Sequence, residues 1–160
     1  MRLLIAAVGR LKAGPERELL DRYAERANAT GRNLSLAPLE VSEVPESQER
    51  RSADRMADEA RKLEAALPKG AKRIVLDSGG KALGSEDFAN RLAALRDQGT
   101  QTTAFLIGGA DGLDPRLKAE ADLVLSYGAA TFPHQIVRIL LAEQIYRAIT
   151  ILSGHPYHRA

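Results

Sequence analysis

The sequence predicts an α/β fold in which a parallel, twisted sheet is flanked by helices on both faces. Apolar segments of strand length alternate with segments of helix length along the chain, as expected where helices connect strands of one direction. Three of the strands end in small, glycine-rich turns. The 160 residues suffice for one domain with its own core. No linker or low-complexity tract interrupts them, so residues 1–160 are expected to form a single domain.

The first half of the chain contains two predicted strands and two predicted helices. Residues 2–8 form an apolar run too short for a signal peptide, which indicates a buried strand. A helix is expected from Gly14-Pro15 to about Ala27, because proline suits the first helical turn. Residues 34–41 predict a second strand, and residues 46–66 predict a long, highly charged helix whose charges face solvent. Its thin apolar stripe consists of Met56, Ala60, Leu63 and Leu67.

The second half repeats strand, turn and helix three times. The predicted strands are residues 73–77, 102–107 and 122–126. The predicted helices are residues 85–95, 114–121 and 133–152, with Ser85-Glu86-Asp87 capping the first of them. In open parallel sheets, ligands bind beyond the carboxyl ends of the strands. Three glycine-rich turns in succession at that edge favour a nucleotide-like ligand over simple turn chemistry.

Composition and missing motifs narrow the possible chemistry. The chain has no cysteine, which excludes disulfides and thiolate catalysis and is compatible with the cytoplasm. No apolar run reaches the roughly 18 residues of a membrane span, and no histidine pair has the spacing of a helical metal site. We therefore expect neither a membrane nor a metal partner. The absence of GxGxxG, Walker A and GxSxG motifs weakens dinucleotide binding, P-loop chemistry and serine hydrolysis.

The last predicted helix is apolar around most of its circumference. Such a helix must be buried nearly all round, and a domain of this size seldom encloses one helix completely. One face is therefore expected to pack on the sheet and another on a second copy of the chain. Glu143, Arg147 and Thr150 form a narrow polar stripe at i, i+4 and i+7. This stripe is either a simple helical ion pair or a buried group that needs a partner.

The C-terminal end of the chain concentrates cationic and aromatic groups. His134, His155 and His158 are the only histidines, and Glu143 is the only carboxylate side chain after Asp122. The tail His155-Pro156-Tyr157-His158-Arg159 offers imidazole, phenol and guanidinium groups. Groups of this kind hold phosphates or stack on bases, so the tail is expected to contribute to function.

Three motifs together resemble the SPOUT class of bacterial rRNA methyltransferases. They are Leu106-Ile107-Gly108-Gly109-Ala110-Asp111-Gly112-Leu113, the helix start Thr131-Phe132-Pro133-His134, and the tail from His155 to Arg159. The resemblance covers nearly the full length and is strongest from Leu76 onward. Any one motif alone is unspecific, whereas their joint occurrence identifies the chain as a member of this class.

The resemblance implies a fold, an assembly and a cofactor. The C-terminal part of the sheet would be tied in a deep trefoil knot, and two copies would form a homodimer with the active site between them. The glycine-rich loops would hold S-adenosyl-L-methionine. The implied cofactor residues are Leu76, Gly108, Gly109, Gly128, Ala129, Ala130, Thr131, Phe132 and Pro133.

The resemblance also implies methyl transfer to N3 of a pseudouridine in a 23S rRNA stem-loop. We expect His158 to act as a base or proton relay, Arg147 to stabilise ring charge or hold phosphate, and Glu143 to orient Arg147. The candidate RNA-binding residues are Tyr157, Arg159, His155 and Arg138. The modest net charge of +2 favours an assembled ribosome over free RNA as the substrate.

Other functions remain open at the level of the sequence. A SPOUT enzyme could act on tRNA instead, and a dimeric ribosome-binding factor could keep the fold without catalysis. A flavodoxin-like nucleotide binder is a third alternative. Individual residues also have structural interpretations, since His134 could cap or pack at a helix start and His155 could shape the tail.

Overall fold

The computed structural model describes residues 1–159, in which five strands form one sheet in the order β2-β1-β4-β3-β5. All neighbouring strands are parallel. The strands are β1 (Arg2–Val8), β2 (Leu39–Val44), β3 (Lys72–Ala82), β4 (Thr102–Ile107) and β5 (Leu123–Ser126). The helices are α1 (Pro15–Gly31), α2 (Ser52–Ala65), α3 (Ser85–Asp97), α4 (Pro115–Ala119) and α5 (His134–Ser153). The predicted fold class, a parallel sheet flanked by helices, is therefore confirmed.

Both faces of the sheet are buried, because alternate residues of the central strands enter different cores. Leu3 and Ile5 of β1 pack with residues of α1, α3 and α5. Leu4 and Ala6 pack with residues of α2 and α4 on the opposite face. β4 is buried along its whole length. In a strand that is buried on both faces, successive side chains are all apolar instead of alternating between apolar and polar. This explains the continuous apolar runs of the sequence.

Helix α5 packs between α1 and α3, and this arrangement buries most of it within one chain. The ring centroids of Tyr146 in α5 and Tyr23 in α1 lie 6.3 Å apart. A narrow strip that includes Ile136 remains exposed. Thr150 does not belong to the predicted polar stripe, because it is buried and its hydroxyl donates to the carbonyl of Arg147 at 2.7 Å. No helix within residues 1–159, α5 included, is long and apolar enough to span a membrane.

The second strand begins later than predicted, at Leu39 instead of residue 34. Helix α1 continues to Gly31, and a short 3-10 turn follows it. The N–H group of Leu36 donates to the carbonyl of Gly31 at 2.9 Å, which ends the helix. Residues 34–36 therefore belong to the helix terminus, and pairing with β1 begins where the carbonyl of Pro38 accepts the N–H of Leu3 at 2.9 Å.

Helix α2 also begins later than predicted, at Ser52 instead of residue 46. The segment before it, residues 45–51, is called the β2–α2 segment below. A carboxylate oxygen of Glu59 accepts a hydrogen bond from the N–H of Ser47 at 3.0 Å. Because a side chain from the helix satisfies this backbone donor, the segment has no need of helical hydrogen bonds. The predicted apolar stripe is present, with Ala60 and Leu63 buried in the core.

The strand predicted at residues 73–77 continues through its glycine turn to Ala82. Its register with β5 shifts between Leu76 and Lys81, so the residues between them bulge from the ladder. A Cβ on Gly80 would lie 2.7 Å from the carbonyl of Val124, and only glycine permits this approach. The predicted turn is therefore a bulge inside the strand.

The predicted helix starts of the second half have different outcomes. The carboxylate of Asp114 accepts a hydrogen bond from the N–H of Arg116 at 2.8 Å and caps α4, which begins where the sequence predicts a helix. The prediction for Ser85 is wrong, because its hydroxyl bonds to the side-chain oxygen of Gln144 at 2.8 Å instead of capping α3. This contact joins α3 to α5.

Candidate active site

A cavity of about 550 Å³ lies at the carboxyl ends of β3, β4 and β5. Parallel pairing brings these strand ends to one edge, where three loops enclose the space. The predicted cofactor residues lie together in its wall, with the exception of Ala129, which is exposed and lies outside it. Those in the wall are Leu76, Gly108, Gly109, Gly128, Ala130, Thr131, Phe132 and Pro133.

Several wall residues were not anticipated from the sequence. Ile107, Leu125 and Val137 add apolar surface, and His134 lines the cavity at the start of α5. The apolar residues lie in strands and a helix, where a core position and a cavity wall give the same sequence pattern. The sequence signal available for Ile107 and Leu125 was their position near the ends of strands, and no such signal exists for Val137 in α5.

The glycines of the wall serve two physical purposes. Gly128 has a φ of +127°, a backbone conformation that other residues rarely adopt. Gly108 is required by close approach, since a Cβ there would lie 2.7 Å from the carbonyl of Gly112. The loop closes tightly through a hydrogen bond from the N–H of Gly112 to the carbonyl of Gly109 at 3.1 Å. Of this loop, Gly108, Gly109, Ala110 and Gly112 line the cavity.

Tyr127 is a polar wall residue that the sequence analysis missed. Its hydroxyl is buried and finds no hydrogen-bond partner within residues 1–159. Burial raises the pKa of Tyr127, and the charge of Glu143 raises it further, so the phenol stays protonated at neutral pH. An unsatisfied buried hydroxyl costs about 1–3 kcal/mol. Tyr127 contributes to the wall, but its hydroxyl has almost no accessible surface and is buried behind that wall.

The three predicted catalytic residues form a cluster on α5 with the tail. Glu143 accepts a hydrogen bond from Nε of Arg147 at 3.0 Å and another from the hydroxyl of Tyr157 at 3.0 Å. Nη1 of Arg147 lies 3.3 Å from Nδ1 of His158. The guanidinium carbon lies 4.9 Å from the centre of the Tyr157 ring, within cation–π distance. The tail is thus folded against its own helix.

Electrostatic effects fix the protonation states of this cluster. The hydrogen bond with Glu143 raises the pKa of Arg147, which stays charged. Burial raises the pKa of Tyr157, and hydrogen bonds with Tyr23 and Glu143 raise it further, so this phenol also stays protonated. Glu143 is therefore the acceptor that organises a cation and a phenol around itself.

The tail lies outside the cavity of its own chain. Among the described residues, the cavity wall includes nothing beyond Val137. At 1.5 Å per residue, Glu143 lies roughly 14 Å along α5 from His134. Two other predicted RNA-binding residues, His155 and Arg159, are exposed on the tail. The structure thus assembles two separate groups of site residues.

Arg138, the fourth predicted RNA-binding residue, is completely buried. Its Nη2 donates to the carbonyl of Val8 at 2.6 Å, and its Nη1 lies 3.3 Å from a carboxylate oxygen of Glu43. Burial lowers the pKa of this arginine, and the nearby Glu43 opposes that shift. Because the guanidinium is not exposed, it cannot contact RNA in this structure. The prediction that Arg138 binds RNA is therefore wrong, and its role is structural. Arg138 joins the start of α5 to the carboxyl ends of β1 and β2.

Comparison with known proteins identifies the family. Residues 1–158 match the family model described as predicted SPOUT methyltransferase. The chain belongs to the SPOUT methyltransferase family. Two relatives are both named ribosomal RNA large subunit methyltransferase H. That of Xanthobacter autotrophicus is 59% identical over the full length of both chains. That of Bradyrhizobium sp. ORS 278 is 53% identical over 100% of this chain and 99% of its own.

A solved structure shares the fold of this chain. It is a probable methylase family protein from Haemophilus influenzae Rd KW20, with a TM-score of 0.51. The match covers 99% of this chain and 70% of that chain at 11% identity, so it concerns the fold alone. The trefoil knot that the resemblance implies stays a prediction.

The Tyr127 hydroxyl can be tested by a Tyr127→Phe substitution. We expect the ligand-free protein to be as stable as the wild type or more stable by about 1 kcal/mol, because an unsatisfied hydroxyl is removed. Affinity for S-adenosyl-L-methionine, the ligand that the sequence predicts, should change by less than about twofold in calorimetry, because the hydroxyl is not exposed in the cavity wall. Tyr146→Phe, outside the cavity, is the control. Lower stability, or an affinity loss of about tenfold, would contradict this interpretation.

The structural role of Arg138 can be tested by Arg138→Gln. The free energy of unfolding should fall by about 3 kcal/mol, because Glu43 and the Val8 carbonyl lose a buried partner. Urea denaturation measures this change, and Arg159→Gln, on the exposed tail, should leave stability unchanged. Wild-type stability of Arg138→Gln combined with weaker RNA binding would restore the predicted RNA contact.

Proposed function

We propose that this chain is an S-adenosyl-L-methionine-dependent rRNA methyltransferase that modifies N3 of a pseudouridine in 23S rRNA. The observation that carries the proposal is the glycine-lined cavity at the carboxyl edge of the sheet, in a chain of the SPOUT methyltransferase family. Full-length identity of 59% to a relative named for the large-subunit rRNA supports the substrate. The choice of pseudouridine N3 rests on the resemblance of the tail motif.

The cavity residues fit S-adenosyl-L-methionine. A cavity of about 550 Å³ is within the usual range for ligands of this size. Leu76, Ile107 and Leu125 offer apolar walls to an adenine ring, whereas the backbones of the glycine-rich loops offer hydrogen bonds. When bound, this cofactor supplies a methyl group on positively charged sulfur.

The tail cluster would accept the N3 proton of the target base and stabilise the negative charge that its removal leaves on the ring. N3 of a uracil ring carries a proton, and its removal spreads negative charge onto the flanking oxygens. Arg147, held by Glu143, can stabilise that charge, and Tyr157 can stack on the ring or bond to it. Because Arg147 faces Nδ1 of His158, the proton of the neutral imidazole belongs on Nε2. A base role for His158 therefore requires RNA to displace this contact.

A homodimer would complete the site. The cavity and the tail are separate within one chain, and catalysis needs both groups at one base. Phe132 in the cavity wall and Ile136 nearby are 39% and 38% exposed, and they form an apolar surface beside the cavity. A second copy seated there would bury this surface and bring its own tail to the cavity.

The substrate can be identified by incubating the purified chain with S-adenosyl-L-methionine and either ribosomes, large subunits, a naked 23S rRNA hairpin or tRNA. Mass mapping of the RNA should locate one methylated pseudouridine in 23S rRNA from ribosomal particles. Methylation of tRNA alone, or cofactor binding without any methylation, would contradict the proposal. Efficient methylation of the hairpin would show that an assembled particle is not required. The proposal that the target is the assembled ribosome in the cytoplasm would then fail.

The role of His158 can be separated from binding by a His158→Ala variant in single turnover with saturating ribosomes. A base role predicts a fall in the methylation rate of about 100-fold or more at saturation. A binding role predicts a weaker apparent affinity with a near-normal saturated rate. The second result would rule out proton transfer through His158.

A further inference from the structure

The loop after β4, residues 108–112, is held from outside the cavity by a charged contact with α2. Nε and Nη2 of Arg55 donate to the two carboxylate oxygens of Asp111 at 2.7 and 2.9 Å. This is the bidentate geometry in which a guanidinium binds a carboxylate most strongly. Arg55 comes from a helix whose charges the sequence analysis assigned to solvent.

The remaining guanidinium nitrogen of Arg55 is used as well. Nη1 donates to the backbone carbonyl of Glu49 at 3.1 Å and to that of Arg50 at 2.8 Å, both in the β2–α2 segment. One side chain therefore joins the helix, the segment before it and the glycine loop. Lysine has a single nitrogen and cannot reproduce this pattern.

Glu59, one helical turn after Arg55, touches the same loop. One of its oxygens accepts the N–H of Ser47, and the other is buried without a partner within residues 1–159. A Cβ on Gly109 would lie 3.2 Å from that second oxygen and 3.1 Å from the side chain of Val8. A side chain at Gly109 would therefore be crowded by Glu59 and Val8, on the side of the loop that faces α2.

An exposed ion pair would have little effect, since such pairs contribute about 0–1 kcal/mol. The Arg55–Asp111 pair differs because only 29% and 25% of the two side chains are exposed and both are oriented by further contacts. Neither Arg55 nor Glu59 lines the cavity, so any influence on a ligand must pass through the loop.

We propose that Arg55 is a positioning residue that holds the Gly108–Gly112 loop in the shape that binds the cofactor. The inference rests on the proposed assignment of the cavity to S-adenosyl-L-methionine. A loop that is already ordered loses little conformational entropy when a ligand binds, whereas a released loop must be ordered at the expense of affinity. The helix α2 therefore supports cofactor binding without touching the cofactor.

Calorimetric titration with S-adenosyl-L-methionine tests the inference. Arg55→Lys should weaken binding about tenfold. Asp111→Ala should also weaken binding, and the double variant should be no worse than Arg55→Ala alone, because Arg55→Ala already removes the contact with Asp111. Arg61→Lys is the matched control, since Arg61 lies on the same helix in an exposed pair with Asp58. Unchanged affinity of folded Arg55→Lys would overturn the inference.

Hydrogen exchange of the ligand-free protein provides a second, independent measurement. Amides of residues 108–112 should exchange faster in Arg55→Lys than in the wild type, while exchange in the core strands stays the same. Equal loop exchange in both proteins would show that Arg55 has no positioning role. If wild-type protein fails to bind S-adenosyl-L-methionine, the cofactor assignment fails, and loop exchange still decides whether Arg55 holds the loop.

Discussion

Parallel strand pairing is the constraint on which the rest of this structure depends. Because β1, β4, β3 and β5 run in one direction, their carboxyl ends meet at one edge of the sheet. The helices that connect the strands cover both faces of the sheet, so a ligand cannot bind on either face. The loops at the carboxyl edge are the remaining backbone that can curve around a cofactor, and the cavity is found there.

Buried and half-buried arginines connect this edge to the surrounding helices. Arg138 fixes the start of α5 to β1 and β2, and Arg55 fixes α2 to the glycine loop. Arg147 and Glu143 fix the tail to α5. Each of these arginines pairs with a carboxylate, so these ion pairs contribute nothing to the net charge of +2 and cannot be inferred from it. The charged residues of this chain organise its loops as well as its surface.

The site consists of two parts with different chemistry. The cavity is mainly apolar and backbone-lined, which suits a nucleoside, whereas the tail cluster carries the cation, the phenol and the imidazole. Tyr127 lies between the two parts, since it lines the cavity and its pKa responds to Glu143. The proposed dimer would unite a cavity with a tail, and the exposed apolar surface around Phe132 and Ile136 favours that arrangement.

The sequence by itself determined the fold class and most elements of the second half, because strand ends and glycine turns are local signals. Eight of the nine cofactor residues that the family resemblance implied lie in the cavity wall, but the rest of that wall was not predicted. The sequence misplaced the starts of β2 and α2, because the hydrogen bond of Leu36 to the helix end and the contact between Glu59 and Ser47 compete with local propensity. Only the tertiary structure decided that Arg138 is buried, that Tyr127 lines the cavity and that Arg55 reaches Asp111. These facts depend on which distant segments meet, and no local pattern encodes the partner of a charged side chain.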